Sequence, residues 1–170
     1  EERRKNNAFE TLEIYAPIAD RLGMGDLKAK LEDLSFQYGY PEEYKWIDEE
    51  VKKIMPQREK YLEKIIPIIK TELKKEGIKI ISVNSRAKHY YSLWQKLNRY
   101  EMDWNLITDL VAVRIIVGSI ESCYAVLGVL HKLWKPLPGR IKDYIALPKQ
   151  NGYRSLHTTV FCVDKVMTEF

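Results

Sequence analysis

Two acidic residues of this sequence lie at or beside predicted strands, where a carboxylate could bind magnesium. Asp109 stands directly before the apolar run 110–117, and Glu169 lies in a short extended segment. Magnesium prefers one or two carboxylates together with substrate phosphates, so a carboxylate at a sheet edge can hold it. A surface Asp that starts a strand, or a Glu on a solvated strand face, would have the same local sequence, and both interpretations stay open.

Cations and a hydroxyl surround the start of a predicted helix in the segment 86–96. Arg86 and Lys88 lie at its entry, and Ser92 and Lys96 fall one turn apart on one face. Free amides and the helix dipole at a helix N-terminus add to such charges, which is typical of a phosphate site. An ordinary basic helix face is the alternative interpretation.

A second basic segment surrounds the turn Asn151-Gly152, which presents Tyr153. The nearby cations are Arg140, Lys142 and Lys149. An aromatic ring beside cations suits stacking on a purine base and neutralisation of its phosphates. His157 precedes a Thr-Thr-Val segment and is either a structural histidine or a site residue.

The composition predicts a folded domain with an anionic ligand. Of the 170 residues, 45% are hydrophobic and 31% are charged, which favours a packed core over disorder. Residues 81–170 carry 12 Lys+Arg against 7 Asp+Glu, whereas residues 1–80 carry 16 against 17. A locally basic stretch in a nearly neutral chain indicates a nucleotide or nucleic acid. Cys123 and Cys162 have apolar neighbours and are predicted to be buried, reduced thiols.

The first 75 or so residues are predicted to form helices. The apolar repeat of the first helix comprises Leu12, Tyr15, Ala16, Ala19 and Leu22. Gly23 ends this repeat, and Asp26 can cap a second helix. The apolar face predicted for the second helix comprises Leu27, Leu31, Leu34 and Tyr38. A third helix opens at Pro41, is interrupted at Pro56 and is kinked at Pro67.

After Gly77 the pattern changes to short β-branched runs that alternate with helices. The predicted strands cover residues 78–83, 110–117, 156–163 and 166–170. The predicted helices cover residues 88–99 and 119–134, the second capped by Ser119. This order predicts a sheet with helices packed against it, and hence an α+β chain with a helical N-terminal segment.

Several of these stretches resemble the RelA/SpoT homologue family, the (p)ppGpp synthetase/hydrolases. The segments that carry the resemblance are 86–92, 109–114, 133–146 and 151–160, and segment 10–23 resembles the late helices of the family's hydrolase domain. The similarity covers nearly the whole chain, and ordered, spaced motifs are far more specific together than any one alone.

The resemblance implies a nucleotidyltransferase-like fold with a mixed sheet. It implies transfer of pyrophosphate from ATP to the 3′-hydroxyl of GDP or GTP, in the cytoplasm and as part of the stringent response. Residues 1–76 would be the end of the hydrolase domain with linker helices, and residues 77–170 a synthetase domain truncated at its C-terminal end. No membrane or nucleic-acid partner is expected for this segment, and a ribosome contact would involve other parts of a longer polypeptide.

The resemblance also implies roles for single residues. Asp109 and Glu169 would hold Mg²⁺, and these two with His157 are the catalytic candidates. Tyr153 would stack on the guanine of the acceptor. The residues expected on the ATP side are Arg86, Lys88, Ser92, Lys96 and Arg114. Those expected around the acceptor are Arg140, Lys142, Lys149, Asn151 and His157. Segment 140–143 is of the Arg-x-Lys-Asp type, which resembles bifunctional members.

The sequence departs from the family pattern in two places. The paired His-Asp metal motif of the hydrolase would lie upstream of Glu1, so hydrolysis by this segment is not expected. A glycine that is usual in the hairpin near Asp164 and Lys165 is absent. Two alternatives to an enzyme are a catalytically inactive guanine-nucleotide binding module and an RNA-binding domain, the second predicting a steep salt dependence.

Overall fold

The computed structural model describes residues 1–85, 89–104 and 112–170. The chain forms two compact units. The first comprises residues 1–55, 88–107 and 149–153, and the second comprises residues 56–87, 108–148 and 154–170. In the described ranges, no helix combines the length and the apolar character needed to cross a membrane. The division of the chain at residue 76 stays a prediction.

The first unit is helical, as the sequence predicts. Its helices are α1 (Glu2–Glu10), α2 (Ala16–Arg21), α3 (Gly25–Gly39), the part of α4 (Pro41–Lys75) up to Met55, and α5 (Tyr90–Arg99). A single π-helical stretch, Thr11–Tyr15, connects α1 to α2. The two helices therefore continue one another without a loop.

An aromatic cluster centred on Phe36 packs α3 against α4 and α5. The Phe36 side chain is fully buried. Ring centroids lie 5.3 Å away for Trp94, 5.6 Å for Tyr91, 5.7 Å for Tyr44 and 6.1 Å for Tyr40. Tilted and edge-on pairs at these distances add to the stabilisation from burial. The cluster thus fixes α5, which carries Ser92 and Lys96, within this unit.

The apolar face predicted for α3 is wrong. Leu27, Leu34 and Tyr38 are 41%, 59% and 50% exposed. The residues that α3 buries are Ala29, Glu32, Ser35, Phe36 and Gly39. Small residues allow a neighbour to approach closely, and a Cβ added at Gly39 would lie 3.4 Å from the Phe9 ring. The bulk of the core on this face comes from Phe36 itself and from aromatic side chains of other elements. Tyr15 and Leu22 of the predicted first face are exposed as well.

The prediction that Pro56 interrupts the third helix is also wrong. The helix α4 runs from Pro41 to Lys75 with Pro56 and Pro67 inside it. Proline has a φ compatible with a helix but removes one backbone donor. The carbonyl that loses its partner at Pro56 belongs to Lys52, which is exposed, so water can bond to it. Solvent exposure on this side therefore makes the proline tolerable.

The second unit contains three two-stranded β-sheets. Its strands are β1 (Ile80–Ser85), β2 (Val113–Val117), β3 (Lys142–Asp143), β4 (Leu156–His157), β5 (Thr159–Phe161) and β6 (Met167–Glu169). The pairs β1–β2, β3–β4 and β5–β6 are antiparallel. A parallel bridge between Ala112 and Glu169 joins the first of these pairs to the third. The α+β class predicted from the sequence is confirmed, and the strand pairing is both antiparallel and parallel.

The core of the second unit lies between these strands and two helices. Residues four apart on α4, namely Tyr61, Ile65, Ile69 and Leu73, are all buried. Helix α6 (Ile120–Leu133) and the sheet add Val113, Val126, Val129, Leu130, Val160 and Cys162. The Ser119 side chain accepts a hydrogen bond from the Ser122 amide at 3.2 Å, which confirms the predicted cap. Both cysteines are free thiols, and Cys162 is buried as predicted. The predicted burial of Cys123 is wrong, because its side chain is partly exposed.

Candidate functional site

The predicted site residues are distributed over both units. Arg86, Lys88 and Asp109 lie outside the described residues. The candidates in the first unit are Ser92, Lys96, Lys149, Asn151 and Tyr153, and those in the second are Arg114, Arg140, Lys142, His157 and Glu169. Each unit therefore has its own group of candidates.

In the second unit, His157 and Glu169 form a hydrogen-bonded pair. The imidazole Nδ1 lies 2.9 Å from the carboxylate Oε1. The two side chains are 18% and 27% exposed, so both are partly removed from water. Glu169 is opposite Thr159 in the β5–β6 ladder, two residues on from His157. Because side chains two apart on a strand share a face, the backbone itself brings the pair together.

Lys142 and Tyr144 lie next to this pair. Lys142 is directly opposite His157 in the β3–β4 ladder, so the two side chains emerge on the same side of the ribbon. The Tyr144 ring meets the His157 ring edge-on, with centroids 5.5 Å apart and planes at 84°. The Tyr144 amide donates to the Ser155 carbonyl at 2.9 Å. Sequence reasoning missed Tyr144, although it follows the Arg-x-Lys-Asp segment directly.

Asp143 has a structural role in the turn that follows β3. Its carboxylate accepts hydrogen bonds from the amides of Ile145 and Ala146, at 2.9 and 2.8 Å, and from the Tyr124 hydroxyl at 2.8 Å. The bond from the Ala146 amide lowers the pKa of Asp143 most, against an opposing effect of desolvation, and the Tyr124 bond adds to it. An ionised Asp143 therefore ties this turn to helix α6.

Arg114 and Arg140 are exposed cations of the second unit. Arg114 lies in β2 opposite Asn84 of β1. Arg140 precedes β3, and its amide donates to the Leu137 carbonyl at 3.2 Å. Both side chains are exposed, which is compatible with the predicted contacts to phosphate. Those contacts stay predictions.

In the first unit, the turn 149–153 holds Tyr153 beside Lys149. The Lys149 ammonium lies 5.3 Å from the centroid of the Tyr153 ring. Asn151 Oδ1 accepts from the Tyr153 amide at 3.1 Å, and Asn151 Nδ2 donates to the Asp20 carbonyl at 3.0 Å. Both ends of the Asn151 side chain are therefore used to shape the turn and to attach it to the C-terminal part of α2.

A carboxylate from α3 caps the start of α5. Asp33 Oδ1 accepts from the Tyr91 amide at 3.1 Å, and Asp33 Oδ2 lies 2.9 Å from His89 Nδ1. Sequence reasoning predicted that phosphate would meet free amides here, but the Tyr91 amide is already engaged. Ser92 and Lys96 follow on α5 and are partly buried. No local motif pointed to Asp33, because it lies 56 residues before His89.

The chemistry of Glu169 is suited to a hard cation. Carboxylate oxygens are the ligands that Mg²⁺ prefers in proteins. Within the described ranges, no group of three or more His, Cys, Asp or Glu side chains is arranged to hold a metal ion. Asp109, the second predicted ligand, lies outside these ranges.

Comparison with protein families matches residues 85–170 to the family described as a region found in RelA / SpoT proteins. The chain is 48% identical over 171 residues to the guanosine-3′,5′-bis(diphosphate) 3′-pyrophosphohydrolase of Aquifex aeolicus, covering 100% of this chain and 24% of that protein. It is 46% identical over 160 residues to the GTP pyrophosphokinase of Myxococcus xanthus, covering 94% and 21%. The chain thus spans a quarter or less of the length of these curated relatives.

Two solved structures share the fold. The small alarmone synthetase 2 of Bacillus subtilis superposes with a TM-score of 0.57 and 28% identity, over 69% of this chain and 68% of that one. The small alarmone synthetase 1 of the same organism, bound to its product pppGpp, gives a TM-score of 0.51 and 25% identity, over 69% and 70%. The nucleotidyltransferase-like fold expected from the sequence is confirmed.

Proposed function

The chain belongs to the RelA/SpoT family, and from this premise we propose that it contributes the (p)ppGpp synthetase activity of a longer protein. The reaction is transfer of pyrophosphate from ATP to the 3′-hydroxyl of GDP or GTP. The observation that carries the proposal is the His157–Glu169 pair, 2.9 Å apart, inside the segment 85–170 that matches the family. The hydrogen bond from His157 orients the partly buried Glu169 carboxylate. A carboxylate that takes the proton of the acceptor hydroxyl must be oriented in this way.

In this reaction the acceptor's 3′-oxygen forms a bond to the β-phosphorus of ATP, and the bond from that phosphorus to the α,β-bridging oxygen breaks, so that AMP leaves. Catalysis of this kind depends on positioning and on neutralising charge. Glu169 receives the proton of the attacking hydroxyl, and His157 holds the carboxylate in place. Lys142, on the rung opposite His157, adds positive charge near the phosphates of the acceptor.

Magnesium is part of the proposal as a cofactor. Glu169 and Asp109 would hold the ion, which in such sites lowers the pKa of a bound hydroxyl and neutralises phosphate charge. The exposed cations Arg114 and Arg140 would meet phosphate oxygens. Ser92 and Lys96 on α5 would contact the ATP side, together with Arg86 and Lys88.

Recognition of the guanine base is proposed for Tyr153. Its ring is 36% exposed, so a base can reach it. Lys149, 5.3 Å from the ring centroid, brings positive charge to the same place. Stacking of an aromatic ring on a base is worth about 1–3 kcal/mol. Removal of the ring in Tyr153→Ala should therefore weaken GDP binding by roughly 5- to 150-fold.

The test is transfer of labelled phosphate from ATP to GDP by the chain and by matched variants. Glu169→Gln should abolish transfer and leave the circular dichroism spectrum unchanged. Glu76→Gln, which alters an exposed ion pair with Lys132 of the same unit, should retain it. Asp109→Asn tests the second metal ligand. Transfer at the wild-type rate in Glu169→Gln would refute the catalytic role of the pair.

A non-catalytic guanine-nucleotide binding module is the second candidate. The base-binding candidates Tyr153 and Lys149 belong to one compact unit, and the catalytic candidates His157 and Glu169 belong to the other. Because the two pairs are in different units, the chain can bind a guanine base even if it transfers no pyrophosphate. Calorimetric binding of GDP without any ATP-dependent transfer would support this candidate over the enzyme.

A further inference from the structure

The strands that carry His157 and Glu169 turn two threonines towards the core. Successive side chains of a strand point to opposite faces, so the neighbours Thr158 and Thr168 face away from the pair. They are 2% and 0% exposed. Reciprocal backbone hydrogen bonds between Thr158 and Phe170, at 3.0 and 2.8 Å, continue the β5–β6 ladder at this point. The two threonines therefore form the back of the ribbon whose front carries the candidate site.

Each threonine is bonded to an aromatic side chain from a different helix. The Tyr61 hydroxyl of α4 lies 3.0 Å from Thr168 Oγ1, although the two residues are 107 positions apart in the sequence. His131 Nε2 of α6 lies 2.8 Å from Thr158 Oγ1. Thr168 Oγ1 also lies 3.4 Å from the Val166 carbonyl, to which it can donate. Burial raises the pKa of Tyr61, so its hydroxyl stays protonated.

The Tyr61–Thr168 and His131–Thr158 hydrogen bonds are costly to break. A buried hydroxyl without a partner loses its hydration and gains nothing in return, and every buried side-chain nitrogen and oxygen in the described ranges has a hydrogen-bond partner. β6 is only three residues long, and it pairs with β5 along its whole length. The hydrogen bonds from the helix side chains behind this ribbon add to the backbone bonds that hold β6 in place.

We propose that Tyr61 and His131 are positioning residues for Glu169 and His157, acting through Thr168 and Thr158. Each helix side chain fixes a threonine, and each threonine fixes the adjacent site residue on the opposite face. Loss of either bond lets the strand shift, and the distance between the imidazole and the carboxylate changes with it. The expected effect on pyrophosphate transfer rests on the proposed function. The expected effect on the distance between the His157 imidazole and the Glu169 carboxylate does not.

The test uses Tyr61→Phe in the 170-residue chain, since phenylalanine keeps the ring and removes only the hydroxyl. The chain has three histidines, so the ring nitrogens of His157 can be followed by ¹⁵N NMR and assigned by substituting each histidine in turn. These shifts report which nitrogen carries the proton. We expect the His157 signals to move in Tyr61→Phe and in Thr168→Val, and the His89 signals of the other unit to stay in place.

The kinetic arm compares pyrophosphate transfer by the same variants. A displacement of the order of an ångström costs up to about a hundredfold in rate, so kcat should fall between about tenfold and a hundredfold while KM for both nucleotides changes little. Tyr38→Phe, on the half-exposed face of α3, is the matched control and should behave as the unsubstituted chain.

The outcomes separate the two proposals. Unchanged His157 signals in Tyr61→Phe overturn the positioning role. A lower melting temperature in the same variant does not rescue it, because a loss of stability alone is a purely structural effect. Displaced signals with an unchanged kcat overturn it as well, since the geometry would then not matter for transfer. An unsubstituted chain that transfers no phosphate refutes the proposed function, and the NMR signals still decide whether Tyr61 sets the geometry of the pair.

Discussion

Gly23, which follows α2, lies close to the turn that carries Tyr153. Its φ is +74°, in the left-handed region, and a Cβ added to it would lie 3.0 Å from the carbonyl oxygen of Asn151. That separation is tighter than an ordinary van der Waals contact, and the opposing atom belongs to the backbone. In Gly23→Ala the turn must therefore move away from α2, which strains the hydrogen bond from Asn151 to the Asp20 carbonyl.

The expected loss of stability has two parts. A left-handed φ costs an alanine about 1–2 kcal/mol relative to glycine. Weakening of the Asn151–Asp20 hydrogen bond adds about 1 kcal/mol, so Gly23→Ala should lower the free energy of unfolding by roughly 2–3 kcal/mol. Gly77 provides the matched control, because its φ is +71° and a Cβ added there meets nothing within 4 Å. Gly77→Ala should cost only about 1–2 kcal/mol.

Urea unfolding and calorimetric titration with GDP measure the two consequences separately. The Tyr153 amide is bonded to Asn151 Oδ1, so displacement of the turn in Gly23→Ala should weaken GDP binding, whereas Gly77→Ala should leave the Kd unchanged. Equal losses of stability in the two variants, together with equal GDP affinities, would show that the close approach of Gly23 to Asn151 does not shape the nucleotide site.

Three further outcomes are expected. Ile69→Ala, in the fully buried stripe of α4, should cost about 2–5 kcal/mol in urea unfolding, and Ile68→Ala, at a position 38% exposed, clearly less. Ser119→Ala should cost about 1 kcal/mol by the same measurement, because α6 loses its cap. Burial lowers the pKa of His131 below its usual 6.5; the unfolded chain then binds the proton more readily, so stability should be present above pH 6.5 and be lost on acidification below it. Unfolding midpoints measured against pH check this, and the dependence should weaken in His131→Asn.

Local sequence patterns predicted the elements of the second unit well. β-branched runs predicted all of the strands except β3, and Ser119 predicted the start of α6, because each of these signals depends on residues within a few positions of one another. The predicted strand 156–163 is divided into β4 and β5. The same approach gave the wrong face for α3. Hydrophobicity selected Leu27, Leu34 and Tyr38, but packing selected the side with Ala29 and Gly39, where neighbouring aromatic rings approach closely. Apart from Phe36, the rings come from other segments and leave no pattern in the sequence of α3.

In the candidate site, the types of the functional residues could be predicted from the sequence, but the residues that contact them could not. A carboxylate, an imidazole and an aromatic ring beside a lysine are visible in the sequence, and residue types alone suggest phosphate and purine chemistry. Their supports are not visible, because Tyr61 precedes Thr168 by 107 residues and Asp33 precedes His89 by 56. The Asp33 carboxylate also changes the interpretation of α5: a phosphate at its first turn would meet a resident negative charge that already accepts the Tyr91 amide. Binding of ATP phosphates near Ser92 and Lys96 therefore depends on those side chains and the preceding cations more than on open backbone amides.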